Sequence, residues 1–238
     1  MYKSSHRLYS SFKVRAAFSP IPHGKNLSIQ PKNDKQRRYI DLLNAEKPYI
    51  VVATGSAGTG KTLLATHVGV SKLLKDEYRK IIITRPAVSV DEDIGFLPGT
   101  LEKKMEPWTK PVFDVLGMHF PRNKIDSMMK EQIIEICPLA FLRGRSFDNC
   151  WIICDESQNT TVNQMLMVLT RIGKGSKIVV TGDPNQYDRG FNNNGLSDLL
   201  QRLEYTQENE NIGVVEFNEQ DVERHPVIPY VLDLYKTI

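Results

Sequence analysis

No acidic residue precedes Asp34 in this 238-residue chain. The same stretch carries Lys3, Arg7, Lys13, Arg15, Lys25 and Lys32, so the formal net charge of +3 hides a basic arm on a mildly acidic body. The arm is rich in serine (Ser4, Ser5, Ser10, Ser11). Three readings are open to it: a solvated terminus, a grip on nucleic acid, or an organelle targeting segment. It lacks the apolar run of a secretory signal. Nowhere does an apolar run approach the ~20 residues of a membrane span. There are only three cysteines, Cys137, Cys150 and Cys154, and they show no metal-ligand spacing. That points to reduced core thiols and a reducing, cytoplasmic setting. Internal repeats and low-complexity tracts are missing as well. Length and composition suit one α/β domain over residues 31–238 behind an arm at 1–30.

What is present is concentrated in a few short segments. "YIVVATGSAGTGKTLLATHVGV" runs from Tyr49 to Val70. Its centre, Gly55-Ser56-Ala57-Gly58-Thr59-Gly60-Lys61-Thr62, matches the phosphate-binding pattern G-x-x-x-x-G-K-[ST] at every required position. Gly58 and Gly60 can take positive φ and let backbone N–H groups close round an anion at a helix N-terminus. Lys61 adds a charge that reaches β- and γ-phosphates, and the Thr62 hydroxyl suits Mg²⁺. The flanks agree, with a strand over Tyr49–Ala53 and apolar residues at helical spacing over Leu63–Leu74.

Further strands are expected at Ile81–Thr84, Ile133–Ile136, Trp151–Cys154, Lys177–Thr181 and Val214–Phe217. Helices are expected at Leu101–Leu116, Thr161–Ile172 and Gly195–Leu203. Strands alternating with helices imply a three-layer, mainly parallel α/β sheet. Ligands bind such sheets beyond the carboxyl ends of the strands, and the residues at those ends are polar. Arg85-Pro86 follows the second strand, Asp155-Glu156-Ser157-Gln158-Asn159 the fourth, and Gly182-Asp183-Pro184-Asn185-Gln186 the fifth. Asp155, at the end of an apolar strand, is placed to hold Mg²⁺ directly or through its water. Glu156 is placed to polarise an attacking water. Gln186 can sense a γ-phosphate or orient that water, although each residue of its turn is also an ordinary turn residue.

Together with "TRPAV", "GFLPG", "PLAFLRGRSFDN", "DESQNTT", "QMLMVLTRIGKGSKIVVTGDPNQ" and "DVERHP", these segments make the chain resemble the PhoH family, ATPases related to superfamily 1 helicases. The resemblance covers about residues 30–235. Two departures are Ser157, where the family usually has Ala, and the acidic run Asp91-Glu92-Asp93.

The resemblance implies a RecA-like phosphate-loop core that hydrolyses ATP with Mg²⁺. It further implies RNA or single-stranded nucleic acid as partner and a homo-oligomer, with a hexameric ring among its forms. Helicase activity is proposed for some members. It also implies that Gln36 reads adenine, against the alternative of an exposed glutamine on a helix. Arg85 stands where such proteins approach the strand backbone, or is a structural arginine. Phe96 and Trp108 stack on bases or belong to the core. Arg143, Arg145 and Arg224 are candidates for an arginine finger, or are surface ion pairs. Arg224 ranks first because it follows the last strand and precedes the His225-Pro226 break. A nucleotide-switched binding protein with little turnover and a small-molecule kinase remain the other function classes. The Asp155-Glu156 pair favours water as nucleophile over a kinase acceptor.

Overall fold

A computed structural model of the chain describes residues 24–25, 27–86, 101–186, 194–206 and 209–223, with positions 227, 231 and 234; the side chains of 101–109 lie outside that description. Phe96, the Trp108 side chain, Arg224 and residues 1–23 of the basic arm therefore lie outside the described residues.

The described strands are β1 (Ile50–Thr54), β2 (Lys80–Arg85), β3 (Ile134–Pro138), β4 (Cys150–Cys154), β5 (Lys177–Gly182) and β6 (Ile212–Glu216). They form one sheet in the order β3-β2-β4-β5-β1-β6, and every pairing is parallel. Because successive side chains point to opposite faces, these short apolar runs feed two separate cores. Val51, Ala53, Ile81, Ile83, Ile153 and Val179 pack on one face. That face is covered by α1 (Asp34–Asn44), α2 (Lys61–Leu74), α3 (Leu101–His119) and α4 (Arg122–Lys130). Val52, Ile82, Ile152, Ile178 and Val180 pack on the other face, under α5 (Val162–Leu169) and α6 (Gly195–Glu204). Each buried Val or Ile among them contributes about 1.5–3 kcal/mol. The result is a three-layer, RecA-like core. Strand β5 intervenes between the loop strand β1 and the acidic strand β4.

Three contacts set how α1 and α2 sit. Trp151 is fully buried, and its indole N–H donates to the Ala65 carbonyl at 3.1 Å. The helix can come this close because position 69 is glycine: a Cβ there would stand 2.5 Å from the indole. Lys177 is also buried, and its ammonium donates to the carbonyls of Leu42, Leu43 and Ala45 at the end of α1. Burial pushes its pKa down to about 8, while the carbonyl end of a helix favours a cation there. At its start, α1 is capped by Asn33, whose side chain accepts from the Gln36 N–H.

Part of the 1–30 segment is held against this core. Gly24 packs on Phe120, and Ile29 packs against the apolar cluster. The Lys25 N–H donates to the His119 carbonyl at 3.1 Å, and the Lys25 carbonyl lies 2.7 Å from His119 Nδ1. A carbonyl only accepts, so His119 carries its proton on Nδ1. His119 Nε2 then accepts from His67 Nδ1 on α2, 2.7 Å away. This chain of bonds uses two neutral imidazoles. Both are held below the ordinary pKa of 6.5, chiefly by burial; for His67 the neighbouring His119 lowers it further, and for His119 the Lys25 bond opposes the shift. The unfolded chain therefore binds more protons below that value, and stability is lost as pH falls. Urea midpoints taken from about pH 7.5 down to about 5 should decline. The decline should flatten in a His67→Asn/His119→Asn double variant. An equal slope in both proteins would place the acid sensitivity elsewhere.

Candidate nucleotide site

The loop after β1 folds as a concave turn because its glycines accept the left-handed backbone. Gly58 and Gly60 have φ of 91° and 90°. Gly55 has φ of 125°, and a Cβ there would lie 2.2 Å from the Phe217 carbonyl at the end of β6. The start of the loop is thus wedged between strand ends, and the Gly55 N–H donates to the Gly182 carbonyl of β5 at 3.2 Å.

The rear of the loop is braced by α1. Gln36 is 5% exposed. Its amide donates to the Thr59 carbonyl at 3.1 Å and accepts from the Lys32 N–H at 2.9 Å. It is therefore not the exposed glutamine of the alternative reading, and it touches the loop backbone behind the cleft. Tyr39, three residues on, is fully buried and donates its hydroxyl to the Lys61 carbonyl at 3.3 Å. Tyr39 is a support that sequence reasoning missed. Its signal was the i, i+3, i+7 spacing of Gln36, Tyr39 and Leu43.

In front of the loop lies an open cleft of about 380 Å³. Its lining brings together Ala57, Gly58, Gly60, Lys61 and Thr62 of the loop with Asp155, Glu156, Asp183 and Gln186. Lys61 curls back so that its ammonium donates to the carbonyls of Gly55 and Ser56 at 2.6 and 2.8 Å. Thr62 and Asp155, 93 positions apart, meet with the hydroxyl donating to Asp155 Oδ1 at 2.7 Å. The same oxygen accepts from Thr181 of β5 at 2.6 Å. A hydroxyl beside a carboxylate at the mouth of an anion-binding loop is the hard-oxygen donor set that suits Mg²⁺ shared with phosphate oxygens. Thr62 and Asp155 would hold that ion, and when bound it supplies positive charge to the phosphates.

Glu156 follows in a left-handed conformation, φ 51° and ψ 42°. Such a backbone is uncommon for a residue other than glycine and turns the side chain sharply off the strand. One carboxylate oxygen accepts from Gln158 Nε2 at 2.5 Å, and the other lies 3.5 Å from Arg85 Nη2. Gln158 in turn accepts from the Asp183 N–H at 3.1 Å and so bridges the ends of β4 and β5. Glu223, after β6, also lines the cleft, and its N–H donates to the Gly58 carbonyl at 3.1 Å. Thr181, Gln158 and Glu223 had no assigned role in the sequence reading. The only signal for Gln158 and Glu223 was that polar residues follow the strands, and Thr181 lies inside β5.

The arginine candidates separate. Arg145 pairs in bidentate fashion with Glu135 at 2.5 and 2.9 Å. Glu135 also meets Lys80, and these partners, Arg145 first, hold its carboxyl down at about 2. Lys80 opens β2 and Glu135 stands near the start of β3, so this network occupies the sheet edge opposite the loop. Arg143 is exposed beyond the turn Leu139–Leu142. The three cysteines are free and buried, and burial raises Cys137, Cys150 and Cys154 to about 12, 11 and 12. Among the described residues no helix is long and apolar enough to cross a membrane.

A family model described as PhoH-like protein matches residues 28–236. The PhoH-like protein of Mycobacterium tuberculosis is 41% identical over 208 residues, which is 87% of this chain and 58% of that protein. The PhoH-like protein of Bacillus subtilis is 40% identical over 215 residues, 90% of this chain and 66% of its own length. Protein PhoH of Escherichia coli is 37% identical over 211 residues, 87% and 58% of the two chains. The chain thus spans between 58% and 66% of the length of these relatives. With its phosphate loop and acidic strand end meeting at one cleft, the chain belongs to the PhoH-like family of phosphate-loop proteins.

Proposed function

We propose that the chain binds and hydrolyses ATP with Mg²⁺ and couples the cycle to RNA or single-stranded nucleic acid. The observation that carries this reading is the convergence on one cleft of the phosphate loop, the Thr62–Asp155 pair, Glu156 and Gln186. Lys61 leaves the loop carbonyls for the β- and γ-phosphates. Glu156 accepts a proton from the attacking water, and Gln186 orients that water or senses the γ-phosphate. To read an adenine edge, as the resemblance implies for it, Gln36 would have to exchange its bonds to the Thr59 carbonyl and the Lys32 N–H. Arg224, next to Glu223, meets the charge that develops on the transferred group. The active form is a homo-oligomer that acts on nucleic acid, and a hexameric ring is one form it takes.

A second reading, a nucleotide-switched binder with little turnover, draws support from the same geometry, because both oxygens of Glu156 are engaged at rest.

ATP turnover measured with and without single-stranded RNA and DNA, with product identity checked, decides between the two. Turnover that rises with a strand is the expected result; ATP binding without phosphate release would favour the switch. The same assay on a chain lacking residues 1–23 tests the arm while keeping the Lys25–His119 contact. That removes Lys3, Arg7, Lys13 and Arg15. Basal turnover should stay the same, and the salt slope of single-strand binding should flatten by up to ~3, from about 0.7 per phosphate contact. An unchanged slope would return the arm to a solvated or targeting segment.

A further inference from the structure

The two partners of Glu156 differ in kind. Gln158 is 2% exposed and fixed at both ends of its amide, by Glu156 and by the Asp183 N–H. Arg85 ends β2, and its side chain is 27% exposed at the carboxyl edge of the sheet. The two residues are neighbours because β2 and β4 pair directly: Thr84 lies opposite Cys154, and the Asp155 N–H donates to the Thr84 carbonyl at 2.9 Å. A general base needs a lone pair facing its water. Here Glu156 Oε1 faces the guanidinium and Oε2 faces Gln158.

We propose that Arg85 is a positioning residue that holds Glu156 off the attacking water at rest. A phosphate that captures the guanidinium then releases the base. On the ATPase reading above, on which this rests, that phosphate belongs to a bound single strand. A guanidinium matches phosphate oxygens with two parallel hydrogen bonds, whereas its contact with Glu156 is a single 3.5 Å pair. The Arg85–Glu156 pair is also a weak tie, because both side chains are partly exposed, 27% and 36%. Bound nucleic acid thereby reaches the chemistry through one side chain, with no movement of the sheet.

The test is Arg85→Gln, assayed for phosphate release with no nucleic acid, with oligouridine RNA and with single-stranded DNA, alongside Arg85→Lys. Basal turnover of Arg85→Gln should rise about fivefold, equivalent to ~1 kcal/mol at ~1.4 kcal/mol per decade. The strand should then add little, while Arg85→Lys keeps part of the restraint and part of the stimulation. A merely structural arginine would not raise turnover when removed, so a basal rate equal to or below wild type in folded Arg85→Gln overturns the proposal. A raised KM for ATP with lowered turnover would overturn it too, because Arg85 would then serve the nucleotide's own γ-phosphate. If the wild-type chain proves silent under all conditions, Arg85→Gln still decides. Gained turnover supports the lock, and continued silence refutes it together with the hydrolysis reading. Wild-type turnover that responds to strands, with an Arg85→Gln that behaves identically, refutes the lock alone.

Discussion

Lys61→Ala is expected to lower ATP turnover at least ~10²-fold while the chain stays folded, because a preorganised charge on a transferring phosphoryl group is worth about 3–4 kcal/mol. The ammonium now rests on the Gly55 and Ser56 carbonyls, with Thr59 Oγ1 at 3.3 Å. It therefore needs only a short swing to reach phosphate oxygens in the cleft. Removing it frees two loop carbonyls beside an open, water-accessible cleft, so the stability change should stay near ~1 kcal/mol. Phosphate release at saturating ATP, paired with a urea midpoint, reads both quantities. Wild-type turnover by a folded variant would remove the loop from the mechanism. The same variant probes Arg224: mixing it with Arg224→Ala subunits should restore partial turnover if a neighbouring subunit supplies that arginine. If each variant is inactive alone and mixing restores nothing despite proven subunit exchange, Arg224 does not complement in trans.

Glu156→Gln should separate binding from chemistry more cleanly. The amide keeps size and shape but does not take up the water's proton. General-base contributions of ~10²–10⁴ set the expected fall in turnover. ATP affinity should hold within about threefold, because the carboxylate is not among the groups that hold the phosphates or Mg²⁺. The neutral side chain also loses its ion pair with Arg85 and retains a partner in Gln158. A nucleotide titration beside single-turnover kinetics separates the two effects. Lost affinity with intact chemistry, together with an Asp155→Asn variant that hydrolyses normally, would exchange the roles of the two acids.

Much of this was legible before any coordinates. The loop announces itself because its chemistry is local: eight consecutive residues supply the glycines, the ammonium and the hydroxyl. Strands were placed to within a residue or two, since short apolar runs bounded by polar residues have few other uses in an α/β chain. Boundaries moved where contacts at the ends decided them. Helix α5 stops at Leu169 rather than Ile172, because Phe147 bridges Ile172 and bonds the Arg171 carbonyl. Strand β3 extends to Pro138, which an edge strand tolerates. Helix α4 went unread because it is short, opens on Pro121 without a side-chain cap and buries only Ile125 and Met128. Packing on the sheet, rather than propensity, makes it a helix.

By itself, then, the sequence determined which residues could handle a phosphate, a metal and a water, because those demands are met within single turns after single strands. The tertiary structure alone decided their partners. The strand order sets β5 between β1 and β4, and that order brings Asp155 to Thr62 and Thr181. It seats Arg85 beside Glu156 because β2 pairs with β4. It also turns Gln36 inward to the loop and sends Arg145 to the far edge. Such pairings span tens of residues and depend on which strands lie side by side, and no local pattern of side chains encodes that neighbourhood.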